Sequence, residues 1–173
     1  MHHINVEIKA RCADQNRVEA VLLAHGARFI GEDHQIDTYF CVANGRLKLR
    51  QGTIENNWIF YHRTDQVGPK TSAVTLLPAT LDTPFKTLLT EALGIRTIVD
   101  KRRRIFFIDN VKFHLDVVQG LGTFVEIEAI QSNTVRTQEA LQAQCADYMR
   151  LLDIPSGALL KYSYSDMLLE LIL

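Results

Sequence analysis

Residues 4–11 alternate without a break: Ile4, Val6, Ile8 and Ala10 fall on one side, Asn5, Glu7, Lys9 and Arg11 on the other. A period of two is that of a strand, whose successive side chains point to opposite faces. Comparable runs predict strands over 35–42, 46–50, 58–64, 71–77 and 97–108, with Asn44-Gly45 as a two-residue hairpin loop and Asp109-Asn110 as a further turn. The stretch 113–128 holds two more alternating runs. His114 and Asp116 oppose Phe113, Leu115 and Val117; after a glycine-containing turn at 119–122, Glu126 and Glu128 oppose Val125 and Ile127.

Helical spacing takes over elsewhere. Asp14 caps a predicted helix reaching about His25, with Val18, Val21, Leu22 and Leu23 as its apolar stripe and Gly26 as its stop. Thr83 starts a second, with Pro84 at its first position, through Phe85, Leu88, Leu89 and Leu93 to Gly94. A third spans about 137–152 on Ala140, Leu141, Cys145, Tyr148, Met149 and Leu152. After a linker or single turn at 155–160, a terminal helix begins near 163–166 with Ser165 as its expected cap. Roughly eight strands and three or four helices make an α+β chain.

Composition narrows the class. The 173 residues, 47% hydrophobic, suffice for a single domain over 1–173, and 23% charged residues argue against disorder. A formal net charge of −1 argues against a general nucleic-acid binder. Cys12, Cys41 and Cys145 show no paired spacing, which fits buried thiols in a reducing cytosol. No apolar run approaches the ~18 residues of a membrane span. A soluble, cytoplasmic protein is the expectation, and the apolar stretch 167–173 would suit a homodimer if it is exposed.

The charges raise a question that composition does not answer. Arg46, Lys48 and Arg50 share a face, as do Lys101 and Arg103, and Lys112, His114 and Asp116. An ordinary antiparallel sheet would turn such faces to water. Across five strands, however, the polar faces are dense in charge, poor in Ser, Thr and Gln, and divided by sign. Closing the sheet with these faces inside would give a barrel with a wet, charged lumen. Such a lumen needs a charged ligand, because burying that many charges empty is expensive. Lys and Arg suit phosphate oxygens, and clustered carboxylates suit Mg²⁺ or Mn²⁺.

At these residues the chain resembles the CYTH family, the triphosphate tunnel metalloenzymes. The resemblance rests on Asn-Val-Glu-Ile-Lys at 5–9, Asp-Thr-Tyr-Phe at 37–40, Arg-Leu-Lys-Leu-Arg at 46–50, Tyr61 with Arg63, Val-Asp-Lys-Arg-Arg at 99–103, His-Leu-Asp at 114–116, Phe-Val-Glu-Ile-Glu at 124–128 and Ser-Tyr-Ser-Asp at 163–166. It implies an eight-stranded antiparallel β-barrel, a tunnel with a charged interior and helices packed outside. The implied activity is that of a class IV adenylyl cyclase, turning ATP into cyclic AMP and pyrophosphate, or of an inorganic or thiamine triphosphatase. A binding module without turnover is the third expectation, because Asn5 stands where the family's Glu-x-Glu-x-Lys has its first Glu. By resemblance Glu7, Asp116, Glu126 and Glu128 bind Mg²⁺ or Mn²⁺, with Glu7 also orienting the nucleophile. Lys9, Lys48, Arg50, Arg63, Lys101, Arg103 and Lys161 bind the triphosphate.

Overall fold

The computed structural model describes residues 2–63, 65–80, 84–131 and 137–172, with side chains from Ile4 onward. Among the described residues, eight strands close into an antiparallel barrel: β1 (His2–Arg11), β2 (Arg28–Phe40), β3 (Arg46–Gln51), β4 (Asn57–Arg63), β5 (Lys70–Pro78), β6 (Ile95–Ile108), β7 (Val111–Val118) and β8 (Gly122–Ile130). Around the wall the order is β1-β5-β4-β3-β2-β6-β7-β8, and β8 returns to β1. Helices α1 (Gln15–Ala24), α2 (Pro84–Leu93), α3 (Gln138–Leu151) and α4 (Tyr164–Glu170) lie outside the wall. None of the described helices is long and apolar enough to cross a membrane.

The alternation decides which side of the wall is greasy. Val6, Ile8 and Ala10 on β1, Phe113 and Leu115 on β7, and Val125, Ile127 and Ala129 on β8 all point outward. There they meet Val18 and Leu22 of α1 and Leu141 and Cys145 of α3. Phe113, fully buried, stacks edge-on against Tyr148 at 4.8 Å between ring centres. Burying such a side chain contributes roughly 2–3 kcal/mol. The main apolar core therefore lies between barrel and helices, on the β6-β7-β8-β1 half; inside the barrel the charged groups share the lining with a smaller apolar cluster that includes Tyr39, Ile59, Tyr61, Val74 and Tyr164. Helix α2 buries none of its residues and touches the opposite half through Phe85 against Trp58.

Several boundaries differ from the sequence expectation. Strand β2 begins at Arg28, seven residues before the alternation predicts, because β6 extends to Ile108 and pairs with it along its whole length. Helix α4 is capped by Ser163 in a capping box with Asp166, whereas Ser165 was expected; Ser165 lies buried as the second residue of the helix. Cys41 is exposed, unlike Cys12 and Cys145. The cap expected at Thr83 lies outside the described residues.

Candidate functional site

The inward faces converge on a tunnel of about 850 Å³ of empty space, its mouths included. Strand β1 contributes Asn5, Glu7 and Lys9, with Glu128 and Glu126 of β8 in register beside Glu7 and Lys9. Strand β7 places Lys112 and His114 next to that pair, and β6 adds Lys101 and Arg103. Across the lumen stand Asp37 and Tyr39 of β2 with Lys48 and Arg50 of β3. Among the described residues, seven Lys and Arg side chains face five carboxylates around this lining, with Asp116 buried behind Arg103 as a sixth, so the tunnel keeps a surplus of positive charge.

Two hubs hold most of the charge. Asp37 accepts from Lys48 Nζ at 2.9 Å, Lys101 Nζ at 2.8 Å and the Arg50 fork at 2.8 and 2.9 Å. Burial would raise the Asp37 carboxyl, but Arg50, Lys101 and Lys48 together hold it well below the usual range. On the other wall Arg103 bonds Asp116 in a fork at 2.7 and 2.6 Å and reaches Glu126 at 2.9 Å. Glu126 also takes Lys9 Nζ at 2.7 Å and lies 3.0 Å from His114 Nδ1. Lys9 Nζ sits 4.0 Å over the Tyr164 ring, and Tyr164 donates its hydroxyl to Asp116 at 2.8 Å, so α4 covers this end of the tunnel.

Burial, with Arg103 adding to it, lowers His114 from an ordinary 6.5 to about 3. Between those values the unfolded chain binds the extra proton, so stability falls as pH drops from 6.5 toward 3. His114→Gln is expected to remove that share, about 2–3 kcal/mol at pH 4.5. Urea unfolding of both proteins at pH 4.5 and 7 measures it, and equal pH slopes would refute it.

The barrel brings together nearly all the residues expected from the sequence. Lys9, Lys48, Arg50, Arg63, Lys101 and Arg103 line the tunnel, as do Glu7, Glu126 and Glu128. Asp116 is fully buried behind Arg103, with both oxygens engaged by Arg103 and Tyr164. Lys161 is the exception. It is exposed, its ammonium lies over the Tyr162 ring, and it is absent from the tunnel lining. It lies between the short bridge that Leu159 and Leu160 make to β1 and the start of α4. Sequence reasoning placed Lys112 on an inward face but gave it no site role, and it missed Asp37, Glu55 and the neutral stretch of wall from Asn57, Ile59, Val74 and Leu76. Asp37 had a signal: it shares the inward period of Tyr39, opposite Lys48 and Arg50.

Does the donor set suit a divalent cation? Among the described residues no three His, Cys, Asp or Glu side chains gather into a ready-made cluster. Glu7 and Glu128 nevertheless stand in register on neighbouring strands, and the buried Oδ1 of Asn5 has no partner while its Nδ2 donates to Glu128. Burial raises Glu128 to about 7; Lys112 opposes the shift, and Glu126 and Glu7 add to it. An unpartnered oxygen beside crowded carboxylates fits Mg²⁺ or Mn²⁺, which use one or two protein carboxylates and complete their shell with phosphate oxygens and water.

Comparison with known proteins agrees with this architecture. A Methanocaldococcus jannaschii protein named "putative adenylate cyclase" is 23% identical over 95% of this chain and 98% of its own length. A Pyrococcus horikoshii structure superposes with a TM-score of 0.76 at 22% identity, covering 94% of this chain and 98% of the other. A Hippeastrum structure, described as a "putative adenylyl cyclase" with a dominant triphosphatase activity, does so with a TM-score of 0.56 at 13% identity, over 95% and 94%. The CYTH domain model matches residues 3–156, nearly the whole barrel with α1, α2 and α3, and the chain belongs to the CYTH domain family.

Proposed function

We propose that the tunnel binds the triphosphate of ATP and that the chain is an adenylyl cyclase acting with Mg²⁺ or Mn²⁺. The observation that carries this reading is the excess of buried Lys and Arg side chains around one enclosed lumen, faced by carboxylates on the β1-β8 wall. Lys48, Arg50, Lys101 and Lys9 would exchange their carboxylate partners for phosphate oxygens, which match the same donors, and Arg103 would give up Glu126 while keeping Asp116. Glu7, Glu126 and Glu128, with Asn5 Oδ1, would hold the cation, which when bound screens the phosphate charge. Asp116 would keep the Arg103 fork aimed at the lumen. The ribose 3′-hydroxyl would form a bond to the α-phosphorus as the bond to the β-phosphate oxygen breaks, releasing pyrophosphate. Glu7, held by Arg63 at 2.5 Å, would orient that hydroxyl and receive its proton. A cytoplasmic location fits a substrate of this kind.

Triphosphate hydrolysis is the second reading, supported by the activity described for the Hippeastrum relative. Incubation with ATP, inorganic triphosphate and thiamine triphosphate, each with Mg²⁺ and Mn²⁺, separates the two. Cyclic AMP with pyrophosphate supports the cyclase, orthophosphate the hydrolase. Binding without product leaves a binder, and Asn5→Glu would then be tested for turnover. Lys48→Ala is expected to weaken triphosphate binding roughly 10-fold, as loss of one charge-assisted contact does. Unchanged binding in that variant would reject the site.

A further inference from the structure

The turn between β3 and β4 carries a carboxylate that the catalytic reading leaves unused. Buried Asp33 takes the backbone N–H groups of Thr53 at 2.6 Å, Ile54 at 2.9 Å and Glu55 at 3.0 Å, together with the Thr53 hydroxyl at 2.9 Å. Gly52 is required there, since a Cβ would come within 2.6 Å of the Asp33 carboxylate. Asn56 ties the turn again through the N–H and carbonyl of Gly52. This cage fixes the direction of the Glu55 side chain. It bonds Arg50 Nη1 at 3.0 Å, Gln35 Nε2 at 3.0 Å and Lys112 from the opposite wall.

Glu55 thus takes Lys112 and the outer Nη1 of Arg50, the two cations nearest one mouth, while the Arg50 fork stays on Asp37. The wall beside it is neutral: Asn57 is in register with Arg50, and the next inward pair is Ile59 and Leu76. The other end is closed by Tyr164 on Asp116. Lys112 and Asp116 lie four residues apart on one strand, about 13 Å along it.

We propose that Glu55 is a specificity determinant that fixes the direction and the length of the phosphate chain. Its negative charge repels a phosphate at this mouth, so the phosphates lie inward among Lys48, Lys101, Arg103, Lys9 and the Arg50 fork that faces Asp37. The organic group then rests at the mouth against Asn57, Ile59 and Leu76. A fourth phosphate would have to displace Glu55 from Arg50 and Lys112. The inference rests on the triphosphate reading above.

Isothermal titration calorimetry in metal-free buffer, where turnover is suppressed, tests it with ATP and adenosine 5′-tetraphosphate, which share their organic group. Wild type is expected to favour ATP by about 10-fold, and Glu55→Gln to bring the two within about 3-fold. Glu55→Asp keeps the charge and should keep the preference; its loss there would overturn the proposal even if Glu55→Gln folds poorly. An unchanged ratio in Glu55→Gln, or an equal gain for both ligands, would also overturn it while leaving the triphosphate site standing. Wild type that binds neither ligand, in metal-free buffer and again with Mg²⁺ or Mn²⁺ present, would overturn both readings.

Discussion

Replacing Asp37 by Ala is expected to cost the ligand-free protein about 3–5 kcal/mol, because it strands buried positive charges. Asp37 is 2% exposed and is the common partner of Lys48, Arg50 and Lys101. Without it, Arg50 keeps Glu55, but Lys48 retains a phenolic oxygen, Tyr39 at 3.2 Å, in place of its carboxylate. The same change should leave these cations free for an anion. Inorganic triphosphate is therefore expected to raise the melting temperature of Asp37→Ala more than that of wild type. Urea and thermal unfolding with and without triphosphate measure both effects. A loss below about 1 kcal/mol, the value of an exposed ion pair, would show that the hub is not desolvated as the geometry indicates.

Arg103→Ala is expected to be as damaging and to carry a different pH signature. Its guanidinium supplies two bonds to Asp116 and one to Glu126, and Asp116 is fully buried. Burial alone would raise the Asp116 carboxyl; Arg103 is the chief group holding it below its ordinary value. Removing Arg103 leaves a buried carboxylate whose remaining partner is the Tyr164 hydroxyl, at a cost of about 3–5 kcal/mol near neutral pH. The sign then reverses from wild type. An Asp116 carboxyl pushed upward favours the protonated form in the folded state, so the deficit should shrink as pH falls and grow as pH rises. Chemical denaturation between pH 5 and 8 reads the trend, and a pH-independent deficit would contradict it. Arg103→Lys keeps the charge but loses the fork, and should recover only part of the stability.

The wall of the barrel was legible because a period of two is a local property. Asn5, Glu7 and Lys9 against Val6 and Ile8 already state which side chains travel together. What a strand cannot disclose is its neighbour across the lumen. Asp37 lay within a recognised motif, yet its role depends on Lys48, Arg50 and Lys101 arriving from two other strands. Glu55 sits on a turn, where no period applies, and its direction is set by Asp33 some twenty residues earlier. Residues inward on β4 and β5 are partly apolar, and Ile59, Val74 and Leu76 read on their own as ordinary core. Lys161 was placed by resemblance alone, on a segment with no periodicity to fix its side.

Because greasy and charged surfaces lie back to back on one strand's thickness, each strand of the covered half is pinned from two directions. Sliding β1 by a single residue against β8 would turn Val6 and Ile8 toward the tunnel and Glu7 and Lys9 into the helices. Neither environment would accept the exchange. A one-residue insertion or deletion within β1, β7 or β8 is thus barred twice over, and length variation in this half of the chain is confined to the turns.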